Sequence, residues 1–282
     1  MDEKKLFPDF SVLMSIYIKE KAEFFDACMQ SMVKQTVQPS EIVIVLDGPI
    51  SPELEEVLLR YKESGLIPIK EIRCEKNQGL GVALSIGVPE CAHELIARMD
   101  TDDIAREDRF EKQLKLFSDH PELDICGSNI AEFEGTTDHI VAERKVPVHH
   151  EKIVEYQKTR SAFNHMTVMF KKSMVLKAGN YQDVPLMEDD SLWVRMMLKG
   201  ARCANISENL VYVRVDGGMF ERRGGWKYFL KYRKARRQIL QTGFISYWEY
   251  FKTIVIQLIV ALLPQSARRF VFVQFLRKRK QN

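Results

Sequence analysis

The chain carries, near the end of its first hundred residues, the sequence Glu94-Leu95-Ile96-Ala97-Arg98-Met99-Asp100-Thr101-Asp102-Asp103. A short apolar run ends here in three carboxylates within four residues. An apolar run bounded by polar residues is typical of a buried strand. In open α/β sheets, ligands bind just beyond the carboxyl ends of the strands. The sequence therefore predicts the chemistry of this protein at the tip of a strand that ends before Asp100.

Two interpretations of the three aspartates remain open from the residues alone. Neighbouring carboxylates repel one another unless a cation lies between them. Oxygen ligands suit Mg²⁺ or Mn²⁺, which a phosphate-bearing substrate would share. Alternatively, Asp103 caps a following helix, because Asp is a common N-cap residue.

Strand and helix patterns alternate on the N-terminal side of this sequence. We predict strands over 10–17, 41–46, 68–74 and 94–99, and helices over 21–36, from 51 onward, and over 80–92. Short turns join them, which is typical of βαβ units and a mostly parallel sheet. Polar side chains end three of these strands and should lie along one edge: Ser15 with Tyr17, Asp47, and Asp100 with Asp102. The pattern predicts a Rossmann-like nucleotide-binding half over residues 1–105.

The phosphate-binding glycine motifs of other nucleotide proteins are absent from the sequence. No G-x-G-x-x-G follows the first strand, and no Walker A sequence occurs. Asn77-Gln78-Gly79 opens the third helix and either brings backbone close to a ligand or only begins that helix. A dinucleotide cofactor is therefore disfavoured.

The second half of the chain contains three candidate functional segments. A strand predicted over 163–170 has His165 at its mouth, as a structural or a functional residue. A helix opens with Glu188, Asp189 and Asp190, which either complement the helix dipole or provide a carboxylate base that the helix end keeps ionised. A glycine-flanked pair, Arg222 and Arg223, is either a diphosphate lid or a solvated linker.

The charge distribution separates the C-terminal region from the rest. The net charge is +3, yet residues 222–282 contain 15 Lys and Arg against one acid, which leaves −11 for residues 1–221. Helices are predicted over 226–241 and 244–263, and the apolar run 254–263 is too short to span a bilayer. Basic and apolar segments together predict contact with an anionic membrane surface. The alternative is packing on the body or in a homo-oligomer, and nucleic acid suits the apolar residues less well.

The five cysteines are scattered and odd in number, and the N-terminus has no apolar leader. We therefore expect reduced thiols and a cytoplasmic protein, peripheral on the inner face of the plasma membrane.

Six short motifs in this order resemble the family 2 glycosyltransferases, inverting enzymes with a GT-A fold. The likeness covers about residues 10–225 and is nearest to bacterial polysaccharide and glycan-assembly enzymes. The motifs are Met14-Ser15-Ile16-Tyr17 with Lys19-Glu20, Ser31-Met32-Val33-Lys34-Gln35-Thr36, Glu41-Ile42-Val43-Ile44-Val45-Leu46-Asp47-Gly48, Asn77-Gln78-Gly79-Leu80, Ala97-Arg98-Met99-Asp100-Thr101-Asp102-Asp103 and Glu188-Asp189-Asp190-Ser191-Leu192-Trp193. The implied fold class is α/β, with a mostly parallel central sheet flanked by helices and a helical, basic C-terminal extension.

The resemblance implies a role for each matching residue. The uracil pocket of a UDP-sugar would be lined by Ser15, Tyr17, Glu20 and Asp47. Its uridine and diphosphate would be approached by Asn77, Gly79 and Arg98, with Asp100 near the ribose. Arg222 and Arg223 of the glycine-flanked loop would then offset the charge on the departing UDP. The divalent metal, Mn²⁺ or Mg²⁺, would be held by Asp102 and by Asp216, which replaces a His common among relatives. Asp189 would be the general base, with Glu188 less favoured, and His165 and Trp193 lie on the acceptor side.

The expected reaction is transfer of one sugar from a UDP-sugar to a hydroxyl of a lipid- or protein-linked glycan, with inversion. Single addition is expected because the Q-x-x-R-W motif and the transmembrane helices of processive members are missing. We expect a catalytic domain over 1–225, with its acceptor half at 106–225, and a C-terminal region over 226–282. The rivals are a catalytically inactive scaffold and a sugar-nucleotide pyrophosphorylase.

Overall fold

A computed structural model describes residues 6–215 and 225–264. The strands are β1 (Phe10–Ile16), β2 (Glu41–Leu46), β3 (Ile69–Arg73), β4 (Leu95–Arg98), β5 (Ile104–Ala105), β6 (Ile125–Phe133), β7 (Ile140–Arg144), β8 (Met169–Lys171) and β9 (Cys203–Arg214). The helices are α1 (Ala22–Val33), α2 (Pro52–Ser64), α3 (Leu80–Glu90), α4 (Arg109–Asp119), α5 (His150–Gln157), α6 (Lys172–Lys177), α7 (Glu188–Leu198), α8 (Trp226–Gln241) and α9 (Tyr247–Leu262). A 3-10 turn spans His165–Thr167.

One sheet contains these strands in the order β3-β2-β1-β4-β8-β6-β9-β5, with β7 paired to β6. Strands β1 to β4 pair with one another only in parallel. Strand β8 runs antiparallel to both β4 and β6, while β6 and β9 are parallel. The α/β class with a helix-flanked central sheet is confirmed. The parallel character belongs to the first half, and the second half is mixed.

Helices cover both faces of the sheet, because successive strand residues point to opposite sides. Along β1, Val12 and Met14 pack with α1, α2 and α4, whereas Leu13 packs with α3 and α7. All three side chains are fully buried. A strand buried on both faces carries a nearly continuous apolar sequence, which is the pattern that identified β1, β2 and β4.

The strand predicted over 163–170 is wrong for its first part. Residues His165–Thr167 form the 3-10 turn, and only Met169–Lys171 is a strand. The Thr167 hydroxyl donates to the carbonyl of Asn164 at 2.8 Å, and the Thr167 amide donates to the same oxygen at 2.8 Å. Local side-chain bonds of this kind compete with a strand ladder.

The two C-terminal helices pack on each other, and α8 also packs on α7. Helix α8 has the predicted bounds, and α9 begins with a capping box in which Ser246 and Glu249 exchange hydrogen bonds. A small apolar cluster joins them to the body, and it contains Met187, Val194, Ala235, Ile239 and Ile245. Over residues 6–215 and 225–264, no helix has both the length and the hydropathy needed to cross a bilayer.

Candidate active site

The three aspartates form one cluster at the carboxyl end of β4. An oxygen of each of Asp100, Asp102 and Asp103 lies within 4.8 Å of the other two. Asp103 does not cap a helix, because α4 begins only at Arg109 and Asp103 Oδ1 accepts a hydrogen bond from the Arg214 amide at 3.0 Å. The N-cap interpretation is therefore wrong, and the chain holds three carboxylates together at the predicted strand tip.

The electrostatics of this cluster fit a cation. Burial, followed by the charges of Asp100 and Glu20, raises the pKa of Asp102 to about 7. Burial and the neighbouring Asp102 and Asp100 raise the pKa of Asp103 well above its ordinary value. A bound divalent ion would relieve both the repulsion and the desolvation.

Arg98, the last residue of β4, lies beneath the cluster. Its side chain is 1% exposed and forms an ion pair with Asp100. Burial acts to lower the pKa of Arg98, but Asp100 outweighs it and the pKa is raised. Within the described residues, Nε and Nη1 of Arg98 have no hydrogen-bond partner. A buried guanidinium with two unpaired donor nitrogens can bind an oxygen-rich ligand such as a phosphate.

The nucleotide side is formed by the adjoining ends of β1 and β2. Asp47 is buried, and its two oxygens accept from the amides of Gln78 at 2.7 Å and Gly79 at 2.9 Å. Gly79 has φ +93°, which disfavours any side chain there. Asp47 thus fixes the backbone that opens α3.

The other predicted nucleotide ligands lie around this edge. Glu20 accepts a hydrogen bond from the Thr101 hydroxyl at 2.8 Å, which connects the loop after β1 to the aspartate turn. Ser15 is half-buried beside Val45 of β2, and Tyr17 and Asn77 are exposed. Their contacts with uridine remain predictions.

The second acid group opens α7, as predicted. Asp189 Oδ1 accepts from the Asp190 amide at 2.8 Å, and Asp190 Oδ1 accepts from Gln157 Nε2 at 2.7 Å. Gly81 of α3 lies against Glu188, so closely that an added Cβ would be 2.9 Å from the Glu188 Cβ. That close contact brings α3, whose first residues adjoin the nucleotide edge, against the start of α7.

The protonation of Asp189 differs from the sequence expectation. We expected the helix N-terminus to favour the ionised form. Burial, then Asp190 and Glu188, instead raise the pKa of Asp189 well above its ordinary value. Burial also raises the pKa of Glu188, against the opposing charge of Arg98. A carboxylate with a raised pKa is a stronger base, which suits proton removal from a hydroxyl.

His165 lies between the two acid groups. Its Nε2 is 2.9 Å from the Tyr181 hydroxyl, and its ring is 5.9 Å from that of Trp193. Burial and the charge of Arg98 lower the pKa of His165 well below its ordinary value, so the ring is neutral. Trp193 is 1% exposed and belongs to the core. Trp193 does not line the cavity beside Asp189 and reaches it through His165 and Phe163, on which it packs.

A cavity of about 540 Å³ opens beside Asp189. Its walls are formed by helices α7, α8 and α9 and by residues 159–166, which include His165. Through this cavity a molecule from solvent can reach Asp189 and Asp190 without passing the aspartate cluster, which does not line it.

Arg214 is a residue that the sequence did not identify. Its guanidinium lies over the rings of Phe24 at 4.0 Å and Phe133 at 4.7 Å, and Nε donates to the Asp102 carbonyl at 3.2 Å. Contacts between residues so distant in the chain leave no local sequence signal.

Asp103 did carry a sequence signal, because it is the third acid of the run. Three predicted ligands, Asp216, Arg222 and Arg223, lie outside the described residues.

Comparison with known proteins agrees with this architecture. The family model described as Glycosyl transferase family 2 matches residues 11–176. An uncharacterized glycosyltransferase of Haemophilus influenzae is 41% identical over 277 residues, covering 95% of this chain and 99% of that protein. The UDP-Gal:alpha-D-GlcNAc-diphosphoundecaprenol beta-1,3-galactosyltransferase of Escherichia coli is 37% identical over 271 residues, covering 96% and 98%.

Solved structures show the same fold. The mannosyltransferase PcManGT from Pyrobaculum calidifontis, in complex with GDP-Man and Mn²⁺, has a TM-score of 0.62 at 15% identity. The likeness covers 95% of this chain and 80% of that one. At this identity it concerns the fold alone, and it confirms the GT-A fold.

Proposed function

The chain belongs to glycosyl transferase family 2, and from this premise we propose that it transfers one sugar from a UDP-sugar to a hydroxyl of a lipid-linked glycan. The proposal includes inversion at the anomeric carbon and a place in bacterial surface polysaccharide synthesis. The 37%-identical galactosyltransferase, which uses UDP-Gal and a diphosphoundecaprenol-linked sugar, supports both substrate classes.

The observation that carries the proposal is the position of Arg98, which interacts both with the aspartate cluster and with the acids that open α7. On one side Arg98 is ion-paired with Asp100 and has two unused donors; on the other its charge acts on Glu188, beside Asp189. Diphosphate recognition needs cationic donors, and deprotonation of a hydroxyl needs a carboxylate nearby. This site has both, joined by Arg98.

The residues at the carboxyl ends of β1, β2 and β4 bind the UDP-sugar donor. Arg98 donates to the diphosphate, while the backbone held by Asp47 approaches the uridine. Asp102 would hold Mg²⁺ or Mn²⁺ with Asp216, and the ion supplies charge stabilisation to the departing UDP. The Mn²⁺ of PcManGT supports this ion class.

In the transfer itself, Asp189 removes the proton of the acceptor hydroxyl. The oxygen forms a bond to the anomeric carbon from the face opposite UDP, the bond to the diphosphate oxygen breaks, and UDP leaves with its electron pair. Glu188 is the second candidate base. His165, which is neutral and bonded to Tyr181, orients the acceptor by hydrogen bonding.

Peripheral contact with an anionic membrane on its cytoplasmic side is part of the same proposal. Helix α9 exposes an apolar stripe, to which the lipid surface would bind: Trp248, Phe251, Val255, Ile259 and Leu262. The charge of +14 over residues 222–282 complements anionic lipid. Flotation with vesicles of anionic and of neutral lipid tests this. Binding to neither, together with a dimer in solution, would assign the stripe to a subunit interface.

The donor assignment is tested by UDP release from a panel of UDP-sugars and from GDP-mannose. The panel is run with Mn²⁺, with chelator and with Asp102→Ala. We expect release from one or two UDP-sugars that chelator and Asp102→Ala both abolish, and Glu63→Ala on exposed α2 serves as control. Release that persists in chelator would contradict the metal assignment. No turnover with or without lipid-linked acceptors, together with no UDP binding, would favour the scaffold.

A further inference from the structure

We propose that the cavity between α7, α8 and α9 binds the diphosphate of the acceptor, with Arg236 and Lys252 as its ligands. This assignment rests on the proposed function and deepens it, since it gives the acceptor a chemical class and a place. The acceptor is then a sugar on a lipid diphosphate, and the cavity is called the acceptor cleft below.

One wall of the acceptor cleft is the start of α7, which carries the base, and a second wall is formed by α8 and α9. Asp189 and Asp190 from α7 line the first wall, and His165 adjoins them. Tyr228, Tyr232 and Arg236 of α8, with Lys252 of α9, line the second. A molecule in the cleft therefore has one part next to the base while another part contacts the C-terminal helices.

The charge of the cleft favours an anion. Four cationic side chains line it, from Arg144, Arg160, Arg236 and Lys252, against the two acids of α7. Because the acids lie together on one wall, positive charge prevails on the other. A neutral sugar alone does not need this excess, whereas a phosphate-bearing acceptor does.

Arg236 provides the second, independent observation. Its side chain is 3% exposed, and Nη2 donates to the Lys158 carbonyl at 2.6 Å, which fixes the guanidinium plane. Its Nε lacks any hydrogen-bond partner in the described part of the chain. Buried polar groups are normally satisfied, so an arginine that lines a cleft and keeps an unpaired Nε is a candidate ligand for an anion.

The position of α9 indicates what the diphosphate is attached to. Ile256 and Val260 line the cleft, while Val255, Ile259 and Leu262 are on the adjacent, outer face of the same helix. A hydrocarbon chain leaving the cleft therefore meets apolar side chains on both faces of α9. An acceptor with a diphosphate between sugar and lipid matches the order of base, cations and apolar surface.

The donor diphosphate does not bind to Arg236 and Lys252. Its proposed ligands are Arg98 and the metal held at the aspartate cluster, and none of these residues lines the acceptor cleft. His165 lies between the two places, since the charge of Arg98 acts on it and it also lines the cleft. Two separate phosphate sites thus serve two phosphate-bearing substrates, one at Arg98 with the aspartate cluster and one at Arg236 with Lys252.

The test compares two synthetic acceptors that carry the same sugar, one on a short alkyl diphosphate and one on a plain alkyl chain. Arg236→Gln and Lys252→Gln should each raise KM for the diphosphate acceptor by about tenfold, the loss expected for a charge-assisted hydrogen bond. Both variants should leave KM for the donor and for the phosphate-free acceptor unchanged. The exposed neighbour Arg237→Gln is the matched control on α8.

Three outcomes separate the inference from the function on which it rests. Wild-type protein that uses both acceptors with the same KM, or variants that shift both KM values alike, would overturn the cleft assignment while transfer stands. Wild-type protein that transfers to neither acceptor would count against the proposed function. In that case calorimetric titration with the short alkyl diphosphate alone still decides the cleft. We expect binding that Arg236→Gln weakens about tenfold, and absence of binding would overturn it.

Arg236 is buried, so its variant requires a folding check. Thermal melting of Arg236→Gln identifies a general loss of structure, which would lower all activities together. Lys252 is exposed, and its substitution leaves the core intact. An unchanged KM in a folded Lys252→Gln would remove Lys252 from the assignment.

Discussion

The donor side and the acceptor cleft are built in different ways. The donor side uses residues at the carboxyl ends of β1, β2 and β4, which are adjacent parallel strands. Its charges are fixed by protein partners: Arg98 by Asp100, Asp47 by two backbone amides, and Asp103 by the Arg214 amide. The acceptor cleft lies between helices that a small apolar cluster connects to the body.

This difference means that the lining of one site can change without altering the other. Strand ends are held by the ladder on both sides, so their polar groups stay in one arrangement. Helix walls can change their lining side chains without disturbing the sheet. Asp189 belongs to both regions, because it lines the cleft and lies next to Glu188, on which Arg98 acts.

The largest effect should come from Asp189→Asn, which removes the group common to both regions. Loss of a general base lowers kcat by about 10²- to 10⁴-fold. UDP binding should persist, because the donor ligands are on the strand ends. Steady-state transfer and calorimetric titration with UDP measure the two quantities.

Glu188→Gln is the matched control for this substitution. It changes the neighbouring acid of the same helix turn and should retain most of the turnover. If Glu188→Gln were the inactive variant and Asp189→Asn the active one, the base would be Glu188.

The donor side was largely predictable from the sequence, and the cleft was not. Strand ends produce local patterns, so Asp47, Arg98, Asp100 and Asp102 could be identified from apolar runs that end in polar residues. The cleft brings Arg144 of β7 together with Tyr232 and Arg236 of α8 and Lys252 of α9, and no local pattern in the sequence connects these three elements. The family resemblance identified Asp189 but gave no information on the helices that face it.

Two errors have physical causes that a sequence does not display. The turn at His165 replaces a predicted strand because Thr167 bonds back to Asn164. The pKa of Asp189 is raised although a helix begins there, because burial and two neighbouring acids outweigh the helix dipole.

A smaller effect on activity is expected from Gly81→Ala, which disturbs the contact between the two regions. The new Cβ would lie 2.9 Å from the Gln182 carbonyl oxygen and 2.9 Å from the Glu188 Cβ. The start of α7 must then shift, and a displaced base lowers kcat by about 10- to 100-fold. Ser85→Ala, one turn along α3, is the control and should keep wild-type turnover. Equal kcat for both variants would show that this contact does not position the base.

The smallest effect is one of stability, and its sign follows from the raised pKa of Asp189. Because the folded state binds that proton more tightly than the unfolded state, stability falls as the pH rises through the folded pKa. Asp189→Asn removes this cost, so its Tm at pH 7 should exceed the wild-type value by about 2–4 °C. The gain should vanish at acidic pH, where Asp189 is protonated. Exposed Asp183→Asn is the control, and a Tm lowered at pH 7 would contradict the prediction.

The central claim is that two separate phosphate sites, one at Arg98 and one at Arg236, serve two phosphate-bearing substrates on either side of Asp189. The most direct measurement determines both KM values, for the UDP-sugar and for the lipid-diphosphate acceptor, in Arg98→Gln and in Arg236→Gln. We predict that Arg98→Gln raises the donor KM about tenfold with little change for the acceptor, and that Arg236→Gln does the reverse. Variants that each raise both values equally would contradict the claim and indicate a single phosphate site.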